Sequence, residues 1–202
     1  MLQQLRSHLA ASRVQAPEAT ALSKPAAVLI ALTDNSDNPS VVLTRRSQHL
    51  SSHSGEVSLP GGKWDPEDGP LQVTALRESH EEIGLEPNRV DVLGSLPVFQ
   101  TWQGVQVVPF VGVVPERLQY IPNLDELDAI FQVPLQFFID DNRLRTDVFE
   151  RNVGHVWSPA YEYEGFEIWG FTARLLVNFL NGAFDVGIGP DNPAPVKDWS
   201  RA

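Results

Sequence analysis

Cysteine is absent from the 202 residues. That excludes disulfides, thiolate zinc sites and cysteine nucleophiles together, and it fits a reducing compartment such as the cytosol. Positive charge is scarce. Lys and Arg total 15 against 26 Asp and Glu, for a formal net charge of −11. A protein that grips a nucleic acid polymer by general electrostatics would be basic, so polymers of that kind are set aside. A small anionic substrate stays open, because a metal ion and a few arginines supply positive charge locally. Long apolar runs are missing too. The longest, Ala26 to Leu32, is about a third of the roughly 20 residues a membrane span needs. The opening MLQQLRSHLAASRV alternates polar and apolar residues and lacks the continuous apolar centre of a signal peptide. No internal repeat and no dividing linker is visible, so a single domain over 1–202 is expected.

Apolar and charged contents of 42% and 20% are those of an ordinary globular chain, long enough to bury a core. Leu2, Leu5 and Leu9 predict an N-terminal helix over about 1–13. Ala26 to Thr33 and Val41 to Ser47 read as two strands of a hairpin, joined by the turn cluster DNSDNPS. GEVSL reads as a strand entering a Gly61-Gly62 turn. A helix is predicted from near Pro70 to Gly84. Val90 to Pro115 suggests two or three strands, and Leu124 to Ile139 is acidic and then apolar. RLRTDVFE and HVWSPAYEYEGFEIWG read as further strands. Phe171 to Phe184 reads as a long buried helix, with Leu175, Leu176, Phe179 and Leu180 at helical spacing. The Gly- and Pro-rich segment 187–202 reads as an extended arm. This order predicts an α/β (α+β) sandwich with a mixed sheet and helices on both faces.

Chemistry concentrates between Gly61 and Leu85. Glu78, Glu81 and Glu82 stand at i, i+3 and i+4, which puts three carboxylates on one helix face. Like charges that close repel, and a divalent cation with oxygen ligands would remove the repulsion. A solvated acidic face has the same pattern, so context decides between them. Here the helix follows glycines, whose backbone can approach a cation closely. Arg77 stands beside Glu78 and can pair with a carboxylate through its planar fork. Ala75, Leu76, Ser79 and Ile83 share the opposite, core-facing side.

Arg77 to Leu85, RESHEEIGL, resembles the second half of the Nudix box, Arg-Glu-apolar-x-Glu-Glu-x-Gly-apolar. Gly62 matches the glycine that opens that box. Asp68 stands where the box has Glu, one extra residue precedes Arg77, and Ser79 stands at an apolar position. Leu43-Thr44-Arg45-Arg46-Ser47, Gly55 and Leu59-Pro60-Gly61-Gly62 are similar to the signature of the coenzyme A pyrophosphatase branch. Ser51 replaces the Arg of that signature, and Leu59 its Phe. The loop Lys63 to Asp68 and the segment Ile168 to Ala173 also resemble that branch.

The resemblance implies a Nudix α/β/α sandwich that hydrolyses the pyrophosphate linkage of coenzyme A or its thioesters with Mg²⁺ or Mn²⁺. The products would be 3′,5′-ADP and 4′-phosphopantetheine. It implies Glu81 and Glu82 as metal ligands, with Glu78 joining them or holding the nucleophilic water, and the Gly61 carbonyl as a further ligand. Glu126 is the candidate for an additional catalytic acid or base, with Asp125 and Asp128 as rivals. Arg45, Arg46 and Lys63 are candidates for the substrate phosphates. Strand alternation sends neighbouring Arg45 and Arg46 to opposite faces, so one of the two is expected to reach. Phe99, Trp102, Trp169 and Tyr161 are aromatic candidates for stacking on adenine, though aromatics in β-rich segments mostly fill cores. His80 reads as a surface residue on the helix flank. The alternatives are a Nudix pyrophosphatase for ADP-ribose or a dinucleotide, and a non-catalytic nucleotide-binding domain. The terminal arms are candidate homodimer contacts that nothing in their composition requires.

Overall fold

A computed structural model describes residues 1–12, 14–50, 52–151 and 154–199; the side chains of 151 and 154 are not described. The chain forms two compact units, Met1–Pro134 and Leu135–Ala202. The division follows the pairing of the strands. Those after residue 142 hydrogen-bond with one another in a sheet of their own.

The first unit is built on a mixed eight-stranded sheet. Its centre is β1 (Pro25–Thr33), paired in parallel with β7 (Gln106–Val114) from Pro25↔Gln106 to Thr33↔Val114. Both strands are apolar along nearly their whole length, as strands buried on both faces must be. β2 (Ser40–Arg46) runs antiparallel to β1, completing the predicted hairpin, and also pairs with β3 (Val57–Ser58) and β8 (Leu127–Pro134). β5 (Asp91–Ser95) and β6 (Phe99–Gln100) pair with β7, so the Val90–Pro115 stretch yields three strands. Helix α1 (Leu2–Ala11) buries Leu2, Leu5 and Leu9, the three leucines that predicted it.

Gly61 and Gly62 are not a turn. They belong to a short strand, β4 (Gly61–Lys63), antiparallel to β1 with Ala27↔Gly62 and Val28↔Gly61. The turn reading fails because both glycines are needed for close approach within the sheet. A Cβ at Gly61 (φ +148°) would strike the Ala27 carbonyl, and one at Gly62 would overlap the Glu78 carboxylate.

Helix α2 (Leu71–Ile83) begins after Pro70 and ends at Gly84, as predicted. Leu71, Ala75 and Ile83 pack into one apolar cluster with Ala27, Leu29 and Ala31 of β1 and Val108 and Phe110 of β7. Full burial of a side chain such as Ile83 contributes roughly 1.5–3 kcal/mol. Ser79 is buried at the apolar position of the box, and its hydroxyl donates to the Ala75 carbonyl at 2.7 Å. A small residue therefore fits there without an orphaned polar atom.

The second unit carries a four-stranded sheet in the order β11 (Phe166–Ile168), β10 (Gly154–Tyr163), β9 (Arg143–Arg151), β12 (Val196–Asp198). It also holds the short α3 (Leu135–Ile139) and the long α4 (Gly170–Phe184), which buries Leu175, Leu176, Phe179 and Leu180. The C-terminal segment is more than an arm, since β12 pairs in parallel with β9. Among the described residues no helix is long and apolar enough to cross a membrane.

Candidate active site

The site lies in the first unit, where α2 passes over β4. Arg77 is its hub. Its Nε and Nη2 donate to the two carboxylate oxygens of Asp68 at 2.7 and 3.0 Å, a bidentate pair. Nη2 also reaches the Lys63 carbonyl at 3.2 Å and Glu78 Oε1 at 3.0 Å, while Nη1 donates to Glu81 Oε2 at 2.9 Å. Asp68 is buried and takes two more donors, the Thr74 hydroxyl at 2.8 Å and the Asp65 amide at 3.2 Å. The Arg77 hydrogen bond holds the Asp68 carboxyl below its ordinary range, outweighing burial, and that bond likewise raises Arg77. Asp68 thus has a definite place as the anchor of Arg77. Glu67 has none there, and its amide caps onto Asp65.

The three glutamates of α2 are not equivalent. Glu81 is exposed, its side chain 54% accessible, and lies against Arg77. Glu78 is half-buried, and burial raises its carboxyl, with Arg77 opposing and Glu81 and Glu126 adding to the rise. Glu82 is buried, at 4% exposure. That departs from the expected acidic face. Glu82 stands seven residues, two helical turns, after Ala75, and so shares the core-facing side. The Gly61 amide donates to Glu82 Oε2 at 3.1 Å. Burial pushes the Glu82 carboxyl up to about 7; the Gly61 bond and Arg46 act against the rise, and Glu78 and Glu126 add to it.

Glu126 is brought to this cluster by backbone bonds. The Asn123 amide donates to the Glu82 carbonyl at 2.9 Å, the Glu126 amide donates to the Asn123 carbonyl at 3.0 Å, and the Ser47 amide donates to the Glu126 carbonyl at 2.7 Å. These bonds tie the loop before β8 to the end of α2 on one side and the end of β2 on the other. Glu126 is therefore the acid that the fold places near Glu78 and Glu82. Asp128 forms an ion pair with Arg45 at 2.6 Å, and Asp125 is exposed.

Of the two arginines, Arg45 is engaged by Asp128, whereas Arg46 acts on Glu82 and has a buried Nε without a hydrogen-bond partner. Lys63 does not join the cluster through its side chain. Gly62 faces Glu78, so alternation turns Lys63 to the other face of the sheet, and only its carbonyl meets Arg77. His80 sits on the helix flank, 3.3 Å from Glu86. Phe99 and Trp102 lie in and just after β6, Trp102 half exposed. Tyr161 and Trp169 belong to the second unit, and Tyr161 is core, its hydroxyl donating to Asp141 at 3.1 Å. Ser51 lies outside the described residues.

The donor set suits a hard divalent cation. Its candidate ligands are carboxylates, and burial raises Glu78 and Glu82, with the Glu126 carboxylate adding to both. Among the described residues, no three His, Cys, Asp or Glu side chains are already gathered round one point, because Arg77 draws Glu78 and Glu81 toward itself.

Residues 23–150 match the family described as NUDIX domain. The chain belongs to the Nudix hydrolase family. It is 40% identical over 169 residues to the mitochondrial Nudix hydrolase 15 of Arabidopsis thaliana, covering 80% of this chain and 59% of that protein. The chain thus spans less than two thirds of that relative. It is 37% identical over 180 residues to "Uncharacterized Nudix hydrolase NudL" of Salmonella newport (strain SL254), covering 88% of this chain and 91% of the other. A MutT/nudix family protein from Enterococcus faecalis shares the fold, with a TM-score of 0.52, 16% identity, and coverage of 92% of this chain and 68% of that one. The matched Nudix segment contains α2 and every group described around Arg77 and Glu82.

Proposed function

We propose that this Nudix protein hydrolyses the pyrophosphate linkage of coenzyme A and its thioesters to 3′,5′-ADP and 4′-phosphopantetheine or its acyl form. The observation that carries the reading is the placement of Glu82 and Glu78 against Gly61 and Gly62, with Glu126 close enough to act on both carboxyls and a buried arginine nitrogen with no partner beside them. Carboxylates beside an arginine nitrogen that has no hydrogen-bond partner suit a substrate that brings both a metal ion and phosphate oxygens.

Glu78, Glu81, Glu82 and the Gly61 carbonyl would hold Mg²⁺ or Mn²⁺. The bound cation neutralises phosphate charge and makes water a better nucleophile. The chain's own groups position and move protons. The Gly61 amide fixes Glu82 Oε2, and Arg77, anchored by Asp68, orients Glu78. Glu126, whose backbone is bonded to Asn123 and Ser47, would accept a proton from water as the general base. Arg46 directs its guanidinium to a phosphate, while Arg45 stays with Asp128.

The choice of coenzyme A rests on Leu43 to Ser47, Gly55, Leu59 to Gly62 and Ile168 to Ala173, which resemble the branch signature. The second reading is a Nudix pyrophosphatase for ADP-ribose or a dinucleotide, favoured by Ser51 in place of the signature Arg. The same reading takes the protein as cytosolic, since a chain without cysteine suits a reducing compartment, and keeps the terminal arms as candidate homodimer contacts. Assaying coenzyme A, acyl-coenzyme A, ADP-ribose, NADH and dinucleoside polyphosphates with Mg²⁺ or Mn²⁺ tests it. Coenzyme A compounds should be cleaved fastest. ADP-ribose cleaved far faster would overturn the substrate assignment, and no turnover of any compound would overturn the reaction.

A further inference from the structure

The second unit ends on an aromatic arrangement that the reaction does not use. Trp199 lies nearly parallel to two rings, Phe149 of β9 at 6.1 Å and 5°, and Trp169 at the start of α4 at 6.4 Å and 18°. The Lys197 ammonium sits over the Trp199 ring, 3.6 Å from its centroid. The Trp199 indole nitrogen is buried without a hydrogen-bond partner. A tryptophan selected to fill a core usually satisfies that N–H, and leaving it orphaned is costly. Trp199 therefore gains its stacking at the expense of a donor that water would satisfy.

The segment 187–195 is anchored well upstream: Arg143 donates to the Gly189 carbonyl at 2.9 Å, and Asn192 to Asp141 Oδ2 at 2.7 Å. Beyond Pro195 only β12 intervenes, three residues all exposed, paired with β9 along one edge. Residues 196–199, at the sheet edge, can leave it while the anchored part stays.

We propose that Phe149 and Trp169 form a binding shelf for a planar heteroaromatic base such as adenine, and that Trp199 covers this shelf as an intramolecular stand-in for the base. Stacking on two parallel rings asks only for a flat π-face, which indole and purine share. The base displaces Trp199, whose N–H then meets water. This inference is independent of the reaction proposed for the Arg77–Glu82 site.

Adenosine is the probe, since it carries no phosphate and no charge. Calorimetric titration in EDTA compares the full chain with Trp199→Ala and with a chain ending at Pro195. Both altered proteins should bind adenosine at least tenfold more tightly than the full chain. Trp169→Ala in the Trp199→Ala background should abolish that gain. In the full chain, adenosine should move the Trp199 indole N–H resonance, assigned by its loss in Trp199→Ala, toward the position of a solvated indole. That spectrum tests the inference even where an altered chain fails to fold. Equal affinities in all chains, a gain that survives Trp169→Ala, or an unmoved Trp199 resonance at saturating adenosine would overturn it.

Discussion

The Gly61 amide donates to Glu82 Oε2 at 3.1 Å, and this bond joins the sheet to the last carboxylate of the α2 cluster. Because Glu82 is buried, its one amide partner and the nearby Arg46 are set against burial and two neighbouring carboxylates. Ionised Glu82 is therefore a source of instability in the metal-free protein. The folded carboxyl titrates near 7 rather than 4.5, so the folded state keeps a proton that the unfolded chain releases. Stability from this group is fully present below the unfolded value and is lost as pH rises through about 7. The loss amounts to about 3 kcal/mol. Urea unfolding in EDTA should give a lower stability at pH 8 than at pH 5, and Glu82→Gln should flatten that slope. Parallel slopes for the two proteins would count against the burial argument.

Asp68 works in the opposite sense. Its carboxyl is lowered by Arg77, so its contribution is present above its unfolded value of 3.8 and lost as pH falls through the lower folded value. Asp68→Asn should cost about 1–3 kcal/mol, because it leaves Arg77 without its ionic partner. It should also lower turnover, since Arg77 then loses the anchor from which it holds Glu78. Unfolding curves and steady-state rates on one preparation check both halves. A loss of stability with unchanged turnover would separate Arg77 from Glu78.

Gly61→Ala and Gly62→Ala should fail differently. At Gly61 the new Cβ meets backbone in a disfavoured conformation, so the expected loss is stability, about 2 kcal/mol or more. At Gly62 it meets the Glu78 carboxylate, which can turn aside. That protein should melt within a few degrees of the parent yet lose at least about tenfold in kcat, as displacement of a positioned group would give. Thermal melts beside rate measurements distinguish the two. Similar behaviour of the two would contradict the placement of Gly62 against Glu78.

The two neighbouring arginines make a controlled pair. Arg45→Ala breaks a half-exposed ion pair with Asp128 and should cost no more than about 1 kcal/mol, with KM unchanged. Arg46→Ala removes a buried donor that nothing satisfies, so stability at pH 5, where Glu82 keeps its proton, should hold, while KM rises at least about tenfold. A larger KM effect from Arg45→Ala would reverse the assignment.

Periodicity carried much of this fold. α1, α2 and α4, the β1–β2 hairpin and the three strands between Asp91 and Val114 follow from leucine spacing, apolar runs and turn residues. What it could not carry was long-range pairing. That β9 to β12 form a separate sheet, with the last strand taken from the C-terminal arm, depends on partners far apart in sequence. The Gly61-Gly62 pair was misread because two glycines also signal a turn, whereas here they make room for Ala27 and Glu78. Within the site, the spacing of Glu78, Glu81 and Glu82 was visible, but their inequality was not. The seven-residue step from Ala75 to Glu82 was available as a signal and places Glu82 inward. Asp68 stood at the Glu position of the box, but only the folded chain shows it gripping Arg77. Choosing Arg46 over Arg45, and Glu126 over Asp125 and Asp128, required knowing that Arg45 and Asp128 pair with each other.

The most direct measurement is product analysis of coenzyme A incubated with Mg²⁺ and either the parent protein or Glu82→Gln. The parent should release 3′,5′-ADP and 4′-phosphopantetheine in equal amounts, and none without added metal, and Glu82→Gln, with its fold intact, should be slower by at least about a hundredfold. Cleavage that persists at the parent rate in Glu82→Gln, or products other than these two, would contradict the proposed reaction.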